Sequence, residues 1–339
     1  MKTNSIIAAF ILTPIMISCI SGNKKSIEKE TRTIGSIERI SPALDELVNP
    51  SAVIEVLADG FEWTEGPVWV SSGNYLLFSD IPPNRIYKWS ETDSIQIYLE
   101  PSGFTGPAGR GGEEGSNGLL IDSQGRLVLC QHGDRRVAIM NTPLNDPKPD
   151  FITLVGDYEG KRLNSPNDAV FSSTGDLFIT DPPYGLLKQE EDTAKELAFQ
   201  GVFRRSADGN LTLLTDELSR PNGIGLSPDE KKLYVANSDP QKAIWMAYDL
   251  TADGKTENGR VFYDATEKAK TDQGLPDGLK VHSKGFVFAT GPGGVWIFDP
   301  AGAPLGIIRT TVATANCAFN TDESILYITA DMYLLRVKL

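Results

Sequence analysis

One phrase returns six times along this chain, and it leaves few folds open. Its fullest copy runs over residues 220–239. Pro221-Asn222-Gly223 opens it, a short apolar alternation follows, and Ser227-Pro228-Asp229-Glu230 makes a turn. A second apolar run, Leu233 to Ala236, then ends in Asn237-Ser238-Asp239. Related copies begin at Glu65, Ser116, Pro166, Pro276 and Ala315. Apolar alternation on both sides of a polar turn reads as two short antiparallel strands. One such hairpin cannot bury its apolar face alone. Copies spaced roughly 40–55 residues apart have the period of propeller blades, whose faces bury one another when packed radially. Helical periodicity is scarce, which argues against an alternating α/β fold. The expected fold class is therefore all-β, a six-bladed β-propeller.

That topology predicts where residues go. The innermost strand of a blade starts at one mouth of the central channel, and the second strand returns to it. Glu65, Asn117, Asn167, Asn222, Asp277 and Asn316 open the inner strands and should ring one mouth. Asp80, His132, Asp181, Asn237, Gly291 and Asp331 end the returning strands and should reach the same face. Asn-Gly and Asp-Gly pairs usually mark hairpin turns. Here they precede the strand, in phase with the blades, while the turns lie elsewhere, as at Ser123-Gln124-Gly125 and Ser283-Lys284-Gly285. Their polar oxygens are aimed into a channel mouth.

Four of those residues, Glu65, Asn167, Asn222 and Asp277, offer only oxygen donors. Such a set suits a hard cation, Ca²⁺ first, with Mg²⁺, Mn²⁺ or Zn²⁺ as alternatives, and two carboxylates balance a divalent charge. Zinc of the histidine or thiolate type is disfavoured, because the chain has only two His. His282 sits mid-strand in its copy and reads as a surface or packing residue. His132 ends a returning strand, so it reads as a substrate contact or proton shuttle, or else as a hydrogen-bonded loop His. No Gly-x-Ser-x-Gly occurs, which weakens a serine hydrolase. The plainest alternative for the whole ring is a polar channel filled with water.

The rest of the chain frames this ring. Residues 1–19 read as a signal segment: Lys2, an apolar run from Ile6 to Ile17, then Ser18-Cys19. Met16-Ile17-Ser18-Cys19 resembles a bacterial lipobox, which would make Cys19 a lipid anchor and the protein an exported, periplasmic or cell-surface lipoprotein. Residues 20–43 read as a disordered tether, and 44–339 as one propeller domain. Ile54 to Phe61 is expected to pair with the C-terminal Tyr333 to Leu339 and close the ring. Cys130 and Cys317 sit in different repeats and read as small buried residues, with a disulfide possible but not implied. A net charge of −13 argues against nucleic acid and anionic lipid surfaces as partners. The Gly-rich stretch 102–115 lacks a P-loop ending and reads as a mobile loop beside the mouth. The charged stretch 187–199 reads as a partly helical excursion over the same mouth.

Trp63-Thr64-Glu65-Gly66-Pro67, Ser165-Pro166-Asn167-Asp168, Thr180-Asp181-Pro182-Pro183-Tyr184, Pro221-Asn222-Gly223 and Pro276-Asp277-Gly278-Leu279-Lys280 occur in the order of a known family. From about Leu44 onward the chain resembles the gluconolactonases and regucalcins. The resemblance implies one divalent metal in the channel and hydrolysis of a small-molecule sugar lactone. It implies Glu65, Asn222 and Asp277 as metal ligands, Asn167 as ligand or substrate contact, and Asp277 as general base; Asp168, directly after Asn167, is the reserve base or else a partner standing behind the ligands. Asn117, His132, Asp181, Tyr184 and Asn237 would form the substrate wall, with Asp80 beside them. Ser165 stands where regucalcins carry an Arg that contacts the sugar. An organophosphate or other ester hydrolase on the same propeller is the alternative enzyme, and a non-catalytic calcium- or carbohydrate-binding propeller the alternative class.

Overall fold

The computed structural model describes residues 31–107 and 110–339. The expected signal segment and the Cys19 anchor lie outside the described residues. Six antiparallel sheets of four or five strands make the blades. Blade one is Thr64–Val70, Tyr75–Asp80, Arg85–Ser90 and Ser94–Leu99. Blades two to five span 116–155, 169–215, 221–264 and 279–309. Blade six takes Asn316–Phe319, Ile325–Ala330 and Tyr333–Lys338 from the C-terminal end and Ile54–Asp59 as its outer strand. The expected closure is thus observed, with Tyr333 opposite Asp59 and Arg336 opposite Glu55.

The N-terminal boundary differs from expectation. Part of the supposed tether is folded: Thr33–Ile34 pairs with the outer strand of blade six, and Ser36–Arg39 pairs with Pro304–Arg309 of blade five. Ser41 then caps a short 3₁₀ turn, Pro42–Glu46, whose Leu44 is fully buried. The stretch alternates exposed and half-buried residues with Ile34 and Ile37 packed on the core. Its density of charge hid that alternation.

Blades adhere through apolar side chains on both sheet faces. Between blades four and five, Trp245, Trp296 and Phe298 interlock, with Trp245 edge-on to Phe298 at 5.4 Å. Cys130 and Cys317 are free and buried in such layers. Burial pushes the Cys317 thiol up to about 12.

The glycine after a ring residue is a close-approach glycine. A Cβ on Gly66 would lie 2.0 Å from the Asn117 carbonyl oxygen, and one on Gly278 would lie 2.0 Å from Asn316 Cγ. At four of the six seams the opening residue of one blade rests on the glycine of the blade before it: Asn117 on Gly66, Asn167 on Gly118, Asp277 on Gly223 and Asn316 on Gly278. That contact is why Asn-Gly and Asp-Gly occur at strand starts instead of at hairpin tips. The pairing register slips at these places, between Glu65 and Val68, Ser116 and Leu119, and Pro221 and Ile224. Bulges of this kind re-aim a side chain out of the pleat.

Candidate active site

The polar mouth holds a cavity of about 260 Å³. Glu65, Asn117, Asn167, Asn222 and Asp277 line its floor, and Trp63, Glu113, Tyr184, Arg220, Ser238, Leu275 and Thr314 its wall. Five of the six residues expected to ring the mouth therefore line one cavity, while Asn316 stands behind Glu65. Hydroxyls from the returning strands hold the ring: Ser79 Oγ donates to the Asn117 carbonyl at 2.9 Å and Thr180 Oγ1 to the Asn222 carbonyl at 2.6 Å. In blade five Thr290 Oγ1 donates to Ala315 O at 2.8 Å. Each bond crosses from one blade to the next.

Oxygen atoms on the floor fall into two groups. Glu65 Oε2 accepts from the Gly66 N–H at 2.6 Å and from Asn316 Nδ2 at 3.2 Å. By contrast Asn117 Oδ1, Asn222 Oδ1 and Asp277 Oδ1 are enclosed and have no partner among the described residues. Enclosed acceptors without donors are costly, about 1–3 kcal/mol each, unless something positive meets them. Burial lifts the Glu65 carboxyl to about 7, against its hydrogen bond from Gly66. Burial, then the negative charges of Glu65, Glu113 and Asp168, push Asp277 well above the usual carboxylate range. Two carboxyls that repel one another beside unpartnered amide oxygens are the donor set of a hard cation. Among the described residues no three His, Cys, Asp or Glu side chains gather as metal ligands, so a cation here needs the amide oxygens of Asn. The residues present fit such an ion.

Below the floor lies a layer not anticipated from the sequence. Asn316 Nδ2 also reaches Asp168 Oδ2 at 3.3 Å, and Lys280 Nζ stands 3.2 Å from Asn316 Oδ1 and 3.5 Å from Asp168 Oδ2. Asp168 is buried and does not line the cavity, so its place is that of a partner behind the ring and not that of a reserve base. Its position one residue after Asn167 turns it inward, toward Lys280. The Lys280 stem lines a second cavity at the opposite mouth, about 400 Å³ and edged by Val68, Leu119, Phe171, Leu226 and Phe319.

Several expected wall residues are elsewhere. Asp181 accepts the N–H groups of Asn164 and Ser165, each at 2.7 Å, and is fully buried. Asp80 accepts from Glu62 and Trp63 at 3.1 and 2.9 Å, and Asn237 accepts from the Arg220 N–H at 2.8 Å. All three clip the loop before a strand to the end of the returning strand, so none faces the cavity. Ser238 lines it instead of Asn237. His132 is also fully buried behind the wall, with neither ring nitrogen hydrogen-bonded among the described residues. His282 is buried in the turn at the far mouth, 5.5 Å from the Phe319 ring, a packing residue as expected.

Three signals were missed. Glu113 arrives from the Gly-rich stretch, whose ends are pinned: Gly115 N–H donates to Ile81 O at 3.0 Å, and Gly103 N–H donates to Asn84 Oδ1 at 2.7 Å. Arg220, immediately before Pro221-Asn222-Gly223, reaches the rim and pairs with Glu190 at 3.0 Å. Glu190 belongs to the stretch expected to be partly helical, which folds as one 3₁₀ turn, Gln189–Glu191, with Leu197 buried. Ser165, the departure from the regucalcin pattern, is buried. Its Oγ donates to Pro182 O at 2.6 Å and accepts from the Gly185 N–H at 2.9 Å, shaping the turn that carries Tyr184.

The profile of the SMP-30/gluconolactonase/LRE-like region matches residues 63–331. A gluconolactonase of Zymomonas mobilis is 40% identical, with 100% of this chain and 97% of that protein aligned. The crystal structure of a gluconolactonase from Xanthomonas campestris superposes with a TM-score of 0.78 at 31% identity, over 91% of this chain and 96% of that one. A calcium-binding regucalcin of Agrobacterium tumefaciens shares the fold, with a TM-score of 0.64 at 18% identity, over 84% of this chain and 94% of that one.

Proposed function

Because the chain belongs to the SMP-30/gluconolactonase/LRE-like family, we propose that its polar mouth binds a sugar lactone and opens it with water at a divalent-cation site. The protein is a lactone hydrolase of the gluconolactonase type. The observation that carries the site assignment is the convergence of buried Glu65 with three enclosed, unpartnered oxygens, on Asn117, Asn222 and Asp277.

Glu65, Asn167, Asn222 and Asp277 would hold the cation, and an all-oxygen set favours Ca²⁺. When bound, such an ion supplies Lewis-acid polarisation of a carbonyl and steadies the negative charge that develops on its oxygen. The chain's own groups do the rest. Asn316 donates to Glu65 and so fixes which carboxylate oxygen is free. Asn117 and Tyr184 present an amide and a phenol to ring hydroxyls, and Trp63 and Leu275 cover an apolar ring face. A cavity of about 260 Å³ suits a single sugar ring. A lipid anchor at Cys19 and export are proposed with this function, on the apolar run and the Ser18-Cys19 junction. Loss of labelled fatty acid incorporation in Cys19→Ala tests them.

The test of function is hydrolysis of glucono-1,5-lactone before and after chelation, with Ca²⁺, Mg²⁺, Mn²⁺ and Zn²⁺ returned singly. Turnover above the spontaneous rate, lost to chelator and restored best by Ca²⁺, is expected. Turnover indifferent to chelator would remove the cation, and no turnover on any aldonolactone would remove the substrate class.

A further inference from the structure

We propose that Glu113 is the general base of lactone opening and that buried His132 positions it. The proposal rests on the cation-site reading above. Glu65 and Asp277 are both spent there, and a carboxylate bound to a cation is a poor base. Asp168 is turned away toward Lys280. Glu113 is then the one carboxylate on the cavity lining that holds no other assignment among the described residues. It lines the cavity together with Glu65, Asp277 and Tyr184.

His132 supplies the independent observation. A fully buried imidazole with both nitrogens unpartnered is an unusual expense. Its Nδ1 lies 3.3 Å from Glu113 Oε2, near enough for an ion pair yet without the alignment of a hydrogen bond. The Glu113 side chain is about two-fifths exposed, at 39%, so it reaches solvent in the cavity while its Oε2 stays beside the imidazole. The backbone beneath the pair is rigid, since His132 N–H donates to Gly115 O at 3.2 Å. A Cβ on Gly133 would meet Glu114 O at 2.5 Å, so the two segments touch through glycine. This contact explains why a glycine-rich stretch sits here: it brings Glu113 down onto His132.

The step balances. Glu113 takes a proton from water while the water oxygen bonds to the lactone carbonyl carbon and the carbonyl π electrons move to oxygen. As that oxyanion collapses, the ring C–O bond breaks, and the departing ring oxygen takes the proton back from Glu113. The product is the open hydroxy acid. Imidazole N–H donation from His132 Nδ1 holds the carboxylate toward the water throughout.

The experiment uses the full chain. Glu113→Gln should lower kcat by about 10²–10⁴-fold, the worth of a positioned base. KM and Ca²⁺ affinity, measured by calorimetry on the cation-free protein, should stay near wild type. Glu113→Ala should regain turnover as formate or acetate is added, because the half-exposed position admits a small carboxylate. His132→Gln should lower kcat less, and the Glu113→Gln, His132→Gln double variant should be no slower than Glu113→Gln alone. Wild-type turnover with an equally fast Glu113→Gln overturns the proposal and leaves the lactonase reading intact. Loss of Ca²⁺ binding in Glu113→Gln also overturns it, by making Glu113 a ligand. Failure of the wild type itself to hydrolyse lactones strikes the parent reading instead.

Discussion

Asp181 and Asp277 are the same residue type on the same face of the same fold, and they have opposite lives. Each belongs to a blade's polar end, and burial raises both carboxyls, Asp181 to about 7. Asp181 receives two backbone N–H groups at 2.7 Å, and its charge is spent on holding a loop. Asp277 Oδ1 receives nothing and faces Glu65 across the floor. The difference lies in which end of the hairpin the acid occupies. At the end of the returning strand, the loop backbone bends over and satisfies it. Just before the inner strand, Asp277 is packed through its carbonyl against Gly223 of the preceding blade and its side chain lines the channel mouth, where its Oδ1 meets no backbone N–H. Partnered acids hold the ring; unpartnered ones are left for a ligand.

The sharpest way to break this comparison is to exchange the charges. Asp277→Asn should weaken Ca²⁺ binding on the order of 100-fold or more, since affinity follows ligand charge. The same change should raise the melting temperature of the cation-free protein by removing a like-charge contact. A lower melting temperature would mean that Asp277 is partnered after all. Next in size, Asp181→Ala strands two buried N–H groups and should cost about 2 kcal/mol in urea unfolding. Ca²⁺ affinity should be unchanged in that variant; a joint loss would show that Asp181 reaches the site.

A third, smaller effect is read by pH. The Glu65 carboxyl at about 7 lies above its unfolded value near 4.3. Between those values the folded, cation-free chain binds more protons than the unfolded chain. The stability that Glu65 contributes should therefore fall as pH rises from about 4 to about 7 and be lost above. Calcium competes with the protons on Glu65 and Asp277, both raised by burial, so its affinity should rise with pH across that window. A flat affinity across that window would remove Glu65 as a ligand. The smallest effect is expected from Ser165→Ala, which loosens the Tyr184 turn and should cost about 1 kcal/mol. It should appear as a modest rise in KM for lactone with kcat retained.

The sequence exposed the floor and hid its surroundings for one physical reason. Glu65, Asn117, Asn167, Asn222 and Asp277 recur in phase with an apolar alternation, so a single periodic rule finds them all. Asp80, His132, Asp181 and Asn237 obey the same rule, and it placed them on the correct face. It could not say that loop backbone would wrap over them, because that depends on loop path and not on period. Glu113 comes from a connection outside the repeat, while Arg220 and Lys280 lie inside their copies but owe their roles to long side chains, Arg220 reaching Glu190 and Lys280 reaching Asn316 and Asp168, which no periodic rule specifies. The folding of residues 33–39 was hidden similarly, since an outer strand needs little apolar surface of its own.

The ring's seam has a consequence for how the protein is made. Blade six needs Tyr333–Lys338 beside Ile54–Asp59, two segments almost at opposite ends of the described chain. During synthesis, blades one to five can be assembled while the sixth still lacks three of its strands. An early outer strand must then wait, its edge unpaired, until the last residues leave the ribosome. Contacts of such long sequence separation are slow to form and leave edges open meanwhile. Premature termination a few residues short would therefore yield an open, adhesive arc in place of a slightly shortened enzyme.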